Sequence, residues 1–207
     1  MRIIAGLYKG RDLLPPPGES STRPITGSVK KSLFAMLGED LSGQRVLDLF
    51  CGTGTLGIEA LSRGADQCCF AERDPAVIAR LMRNLQDCRA TAQAVVWRGD
   101  VESRLSQWLR ELTAPVDVAF VDPPYALARQ WWPCTTGASG AAATGTPALP
   151  IKAIFDPLAA KLAPDGIVVL RTDDEAQPPP SLGKLAEVRT RTYGNMVVRL
   201  LKKAGGD

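Results

Sequence analysis

The sequence predicts an α/β protein, a Rossmann-like doubly wound sheet of seven strands. The sheet is mostly parallel with an antiparallel last strand, and a small N-terminal hairpin and helix precede it. Two observations carry the core of this. From Arg45 onward, short apolar runs bounded by turn residues alternate with segments of helical periodicity, the pattern of buried parallel strands joined by right-handed crossovers. A glycine-rich segment also stands where the first such run passes into a helix, the place where doubly wound sheets bind nucleotides.

The predicted parallel strands are Arg45 to Phe50, Gln67 to Glu72, Ala94 to Arg98, Asp117 to Val121 and Gly166 to Leu170. Helices are expected over Leu56 to Ser62, Pro75 to Asp87, Val101 to Leu112 and Ile151 to Leu162. In the second of these, Val77, Ile78, Leu81, Met82 and Leu85 recur at helical spacing behind Pro75 and an Asp74 cap, which gives one apolar face. The ending differs: Glu187 to Thr192 and Met196 to Leu201, joined by Tyr193, Gly194 and Asn195, read as an antiparallel hairpin. Upstream, Arg2 to Leu13 reads as a glycine-punctuated hairpin and Val29 to Leu37 as a short amphipathic helix. Residues 1–41 are expected to form a basic hairpin and helix extension and 42–207 the main α/β domain.

The chain has 207 residues, 45% hydrophobic and 23% charged, a composition that can bury a core and is not that of a disordered chain. It contains no histidine, which excludes Ser-His-Asp and Cys-His nucleophile pairs, an imidazole base and imidazole metal sites. The five cysteines, at 51, 68, 69, 88 and 134, form no C-x-x-C pair, so buried reduced thiols are expected rather than a disulfide framework or a zinc knuckle. No apolar signal segment opens the chain, and the longest uncharged run, Gln130 to Ile151, holds Pro, Gly and Thr residues that disqualify it as a membrane helix. It reads as a loop, either a mobile lid over the target or an insertion without a role.

The net charge of +3 hides an uneven distribution. Residues 1–31 carry six basic and two acidic groups, residues 184–203 carry six and one, and the remainder is acidic. Basic ends around an acidic middle suggest a polyanion partner such as nucleic acid.

Gly52, Gly54 and Gly57 satisfy G-x-G-x-x-G, and Glu72 lies 20 residues beyond Gly52 at the end of the next strand, where a carboxylate accepts ribose hydroxyls. Asp48 at the loop, with no Lys or Arg from 48 to 57, disfavours a pyrophosphate and suits the ammonium and sulfonium of S-adenosylmethionine. Asp100, after the third strand, is placed either to accept from an adenine amino group or to cap the next helix, and both roles are compatible.

Asp122-Pro123-Pro124-Tyr125 directly follows the fourth strand. Two prolines remove two donors and leave carbonyl acceptors. Such a turn suits an exocyclic base amine, whose N–H groups would be accepted by Asp122 and the Pro123 carbonyl, while Tyr125 offers a flat face for an unstacked base. No strong base is needed, since the amine becomes acidic once methylated.

With RIIAGLYKGR at 2–11, TRPITGSVKKSLF at 22–34, VLDLFCGTGTLGIEALSRGA at 46–65, AERD at 71–74 and VDPPY at 121–125, the chain resembles the class I S-adenosylmethionine-dependent methyltransferases, and among them the bacterial 16S ribosomal RNA guanine-N2 methyltransferase family. The glycine loop and the DPPY turn are shared with many amine methyltransferases; the Arg23-Pro24 segment and the EALSRGA helix end are more particular to this family. The resemblance implies methyl transfer to a guanine amine in 16S ribosomal RNA within a small subunit or assembly intermediate, by a cytoplasmic monomer without a metal. It implies that Asp48, Cys51, Gly52, Thr53, Gly54, Glu72, Arg73, Asp100 and Val101 hold the cofactor and Asp122 to Tyr125 the guanine. Arg11, Arg23, Pro24, Thr26 and Lys30 would face the RNA. After Arg-Pro the family usually continues TTDRVRE, whereas Ile25, Gly27, Ser28, Lys30 and Lys31 make this chain more basic there. The residues leave three rivals: an amine methylator of adenine N6 in DNA or RNA or of a protein amide, an NAD-dependent oxidoreductase, and a non-catalytic RNA-binding module.

Overall fold

The computed structural model describes residues 1–18, 25–133 and 148–205. Its centre is a single sheet in the order β3-β2-β1-β4-β5-β8-β7-β6. Strands β1 (Arg45–Leu49), β2 (Gln67–Glu72), β3 (Ala94–Arg98), β4 (Val116–Val121) and β5 (Leu162–Asp173) are parallel to one another. β8 (Met196–Lys203) runs antiparallel to β5, and β7 (Leu185–Tyr193) antiparallel to β8. The chain reverses its strand order at β1 and β4, so the carboxyl ends of these two strands open the crevice in which such sheets bind ligands.

The five apolar runs became strands because both faces of the sheet are covered. On one face Val46, Phe70 and Phe120 join a cluster with Ile58, Leu81 and Phe34; on the other, Leu47, Ala119 and Leu170 join Trp97, Trp108 and Phe155. Helices α2 (Thr55–Ser62), α3 (Pro75–Asp87) and α4 (Val101–Glu111) are the crossovers, the last two capped by the side chains of Asp74 and Asp100. Gly57 serves this packing, since a Cβ there would lie 2.3 Å from the Phe70 ring and 2.7 Å from Cys68 Sγ.

The sheet departs from expectation in having eight strands. The eighth, β6 (Ser181–Leu182), is only two residues long and pairs with the start of β7. β5 also begins earlier than its apolar run, at Leu162, because Leu162 pairs with Val116 ahead of a register shift. Helix α5 (Tyr125–Trp131) starts inside the proline turn, and residues 148–161 wind through α6 (Ala148–Pro150), a π-helical turn (Ile151–Phe155) and α7 (Asp156–Lys161). The lid expected within Gln130 to Ile151 lies largely outside the described residues. No described helix is long and apolar enough to cross a membrane.

The N-terminal extension is seated on α2. Arg2 bridges Asp12 antiparallel, closing a short hairpin, and helix α1 (Gly27–Leu37) follows, its N-terminus capped by Thr26. Glu59, fully buried on α2, accepts from the backbone N–H groups of Ile4 at 2.9 Å and Ala5 at 3.1 Å, from Lys30 Nζ at 3.0 Å and from Arg63 Nε at 3.0 Å. Ser62 receives the Tyr8 N–H at 2.8 Å and donates to the Ala5 carbonyl at 2.6 Å. Gly6 (φ +78°) makes this closeness possible, because a Cβ there would stand 1.7 Å from the Ser62 carbonyl oxygen. Ile3, Tyr8, Leu33 and Phe34 thereby enter the same apolar cluster as β1 and α2.

Lys30 is therefore not the RNA contact that the sequence suggested. It is 2% exposed, paired with Glu59, and donates to the Arg2 carbonyl at 2.7 Å; burial pushes its pKa down and Glu59 opposes the shift. Removing one member of a buried charge cluster strands the others without counter-charges, at a cost of about 3–5 kcal/mol. Glu59→Ala should lower the unfolding free energy in urea by about that amount; a loss below about 1 kcal/mol would mean that the cluster does not hold the extension.

Candidate active site

The carboxyl ends of β1, β2, β4 and β5 and the residue pair Gly99-Asp100 after β3 surround a cavity of about 610 Å³. Met1, Pro16, Pro17 and Ile25 of the N-terminal extension complete its wall. The extension anchored by Glu59 thus forms part of the site.

The loop after β1 turns through two left-handed residues, Phe50 (φ 58°) and Gly52 (φ 55°), before Gly54 (φ 84°) opens α2. A left-handed phenylalanine is uncommon and marks a backbone held by its surroundings. The Cys51 N–H donates to the Ala71 carbonyl at 3.0 Å, and the Phe50 ring leans on Trp131 of α5 with centroids 5.9 Å apart. Nothing lies within 4 Å of a Cβ built on Gly52, so that glycine presents bare backbone to the cavity. Gly54 has the other role, for a Cβ there would meet Leu81 at 2.4 Å. Cys51 and Thr53 line the cavity beside Gly52.

Glu72 ends β2 facing this loop. Its carboxylate accepts the Gly52 N–H at 3.1 Å, and the N–H groups of Arg73 at 2.8 Å and Asp74 at 3.0 Å. These bonds fix both oxygens at the cavity wall. Asp100 caps α4, accepting the Ser103 N–H at 3.0 Å, and it lines the cavity with Val101. Arg73 lines the cavity too, with its guanidinium 3.9 Å from Asp100.

Asp48 is placed differently from expectation. It is 1% exposed and lies behind the loop, accepting the Gly57 N–H at 2.8 Å, and it is absent from the cavity wall. Burial pushes its carboxyl well above the ordinary carboxylate range, the Gly57 bond opposing. Its part is to tie β1 to the start of α2, which holds the loop in shape. An acid in a strand end points to either side of the backbone, and spacing alone does not say which.

At the opposite wall, Asp122 follows β4 and its Oδ1 accepts from Arg171 Nε at 2.6 Å. Arg171, 6% exposed near the end of β5, lines the cavity with Asp122 and Pro124. The Asp122 Oδ2 oxygen bonds to no other described residue, nor does the Pro123 carbonyl. The Pro124 carbonyl, in contrast, is taken by the N–H groups of Leu127 at 2.8 Å and Ala128 at 3.0 Å as α5 begins, so only one of the two proline carbonyls is left as an acceptor. Tyr125 and Pro123 are buried away from the cavity wall, and the Arg171 guanidinium lies 5.9 Å from the Tyr125 ring centroid. The flat apolar surfaces presented to the cavity are Phe50, Pro124 and Leu127.

Of the expected RNA residues, Arg11 is exposed and donates to the Asp87 carbonyl at 2.5 Å, at the end of α3 and away from the cavity. Thr26 is exposed beside Ile25 at the mouth. Arg23 and Pro24 lie outside the described residues. Sequence reading missed Arg171, Phe50 and the face of α5. The signal for Arg171 was a charged residue directly after the apolar run Gly166 to Leu170; positive φ at Phe50 left none. Cys51, Cys68, Cys69 and Cys88 are buried thiols, that of Cys69 pushed up to about 12 by burial. Among the described residues no cluster of acids or cysteines could hold a metal ion.

What the cavity can do follows from its walls. A carboxylate, a bare glycine loop and an acid that caps a helix offer acceptors and one open backbone approach. The described cations on the wall, Arg73 and Arg171, each face a carboxylate. The cavity is therefore suited to a nucleoside without a pyrophosphate, lying beside a group with N–H bonds to donate.

Known proteins agree with this architecture. The Bacillus subtilis protein YlbH, named for rRNA methyltransferase activity, is 37% identical over 207 residues, covering 99% of this chain and 100% of its own. The Escherichia coli ribosomal RNA small subunit methyltransferase D is 38% identical over 125 residues, 60% of either chain. A solved Escherichia coli structure described as the methyltransferase yhhF superposes with a TM-score of 0.72 at 28% identity, covering 99% of this chain and 98% of that one. Residues 1–136 match the family described as Conserved hypothetical protein 95, and the chain belongs to that family.

Proposed function

We propose that the protein transfers the methyl group of S-adenosylmethionine to the exocyclic N2 amine of a guanine in small-subunit ribosomal RNA. The observation that carries this reading is Asp122, with one oxygen held by Arg171 and the other bonded to no described residue, across the cavity from Glu72 and the bare Gly52. Relatives named for small-subunit ribosomal RNA methylation supply the substrate class.

The walls fit such a cofactor. Glu72 would accept the ribose hydroxyls, the backbone at Gly52 allows close approach, and Asp100 with Val101 would border the adenine. When bound, S-adenosylmethionine supplies an electrophilic methyl group on a sulfonium. Asp122 Oδ2 would accept an N–H bond of the base amine and so turn the nitrogen lone pair toward that methyl group, whereas Pro123 lies off the cavity wall. Arg171 fixes the carboxylate in the acceptor orientation. Asp122 or water would take the surplus proton from the methylated nitrogen, the electron pair of the broken sulfur–carbon bond being left on sulfur. Alignment of this kind can supply about 7–11 kcal/mol of a barrier, which is consistent with a site that has no histidine. Phe50 and Pro124, rather than the buried Tyr125, offer the surfaces on which the flipped base would lie.

The direct test is incubation with methyl-labelled S-adenosylmethionine and, separately, naked small-subunit RNA, undermethylated small subunits, DNA and bulk protein. N2-methylguanosine is the expected product; label in N6-methyladenine or in protein would keep the chemistry and overturn the substrate. Asp122→Ala should lower transfer by about 10²-fold or more with the cofactor dissociation constant changed by only a few fold; equal loss of both would contradict its role at the amine. Glu72→Ala should weaken cofactor binding by about 1–3 kcal/mol through lost hydrogen bonds, as read by calorimetry, and an unchanged constant would remove the ribose assignment.

A further inference from the structure

β6 pairs only with Leu185 and Ala186, so β7 from Val188 to Thr192 is an open edge of the sheet, and these five residues are exposed. Register places Arg189 opposite Leu200 and Arg191 opposite Val198. Both partners belong to the apolar cluster that carries Leu33 and Phe34 of α1. Directly opposed residues of antiparallel strands share a face, so both arginines stand on the face of the sheet that α1 covers. Lys31 is exposed on α1 next to Ser32, whose hydroxyl lies 2.5 Å from the Tyr193 hydroxyl at the end of β7.

A line of contacts leads from this edge to the cavity. Tyr193 pairs with Met196, the Met196 sulfur accepts from Arg171 at 3.8 Å, and Arg171 holds Asp122. The acid on the same strand, Glu187, is taken by Arg199 at 3.3 Å, and Asp174 is the exposed acid beside the β7–β8 turn, where its N–H meets the Asn195 carbonyl. Arg189 and Arg191 are two residues apart, about 7 Å along a strand, comparable to successive phosphates of a nucleic-acid chain, and each guanidinium presents a fork that suits a phosphate.

We propose that the open edge of β7, through Arg189 and Arg191, together with Lys31 of α1, forms a phosphate-binding track that delivers an RNA strand to the cavity. The inference rests on the reading of RNA as the substrate and adds the surface that receives it. Charged residues on an open edge also guard against pairing with foreign strands, and the test separates the two roles.

The test is equilibrium binding of naked small-subunit ribosomal RNA across a salt series, by wild type and by the Lys31→Gln, Arg189→Gln, Arg191→Gln triple variant, with methyl transfer and thermal melting measured in parallel. The expected result is a dissociation constant raised about tenfold or more at moderate salt, and a log–log salt slope shallower by about two to three. Cofactor affinity should be unchanged, and an Arg189→Lys, Arg191→Lys variant should keep most of the binding. Unchanged affinity and slope in a folded triple variant would overturn the track, as would self-association of that variant with RNA binding intact, which would leave only edge protection. If wild type binds RNA through these residues but transfers no methyl group to it, the track stands and the proposed reaction falls. If wild type methylates the RNA and the triple variant binds it as well as wild type, the reverse holds; no binding by wild type of either naked RNA or undermethylated small subunits overturns both.

Discussion

One buried carboxylate holds the site together. Glu59 gathers two backbone N–H groups of the N-terminal hairpin, the ammonium of α1 and the guanidinium at the end of its own helix. Charges so deeply buried persist only when paired and hydrogen-bonded, so each partner is confined to one position. The hairpin cannot lift from α2 without taking the Ile4 and Ala5 N–H groups from Glu59 and the Arg2 carbonyl from Lys30. Because Met1, Pro16, Pro17 and Ile25 belong to the cavity wall, this cluster shapes a binding site that it does not touch.

The same logic recurs at the reacting end. Asp48 and Asp122 end neighbouring strands and face different ways. Asp48, turned inward, fastens the glycine loop to α2 through Gly57. Asp122, turned toward the cavity, is steadied by Arg171. In the proposed reaction one acid shapes the loop that would approach the nucleoside, and the other would present an acceptor to the base amine beside it. The site depends on which side of its strand each carboxylate leaves.

That difference marks the boundary of what the sequence makes legible. Strands β1, β2 and β4 were readable because parallel strands covered on both faces are largely apolar, β3 because its short run AVVW is apolar although it lies at the edge, and α3 because its apolar positions repeat behind an Asp-Pro start. Glu72 was readable from its distance to Gly52. The RIIAGLYKGR opening and the EALSRGA helix end could be read only as separate resemblances; in the structure they are two sides of one contact, Gly6 lying against Ser62 and the Ile4 and Ala5 amides on Glu59. Lys30 looked like a surface cation because its counter-charge lies 29 residues away in sequence. Tyr125 looked available for stacking because nothing local shows that α5 begins there and buries it. β6 is too short to leave a periodic signal.

The most direct measurement is a crystal structure of the protein with S-adenosylhomocysteine. The account predicts the ribose hydroxyls on Glu72, the adenine beside Asp100 and Val101, and the sulfur turned toward Asp122 and Pro124, so that donor and amine share one cavity. A nucleoside bound elsewhere, or a sulfur facing away from Asp122, would contradict it.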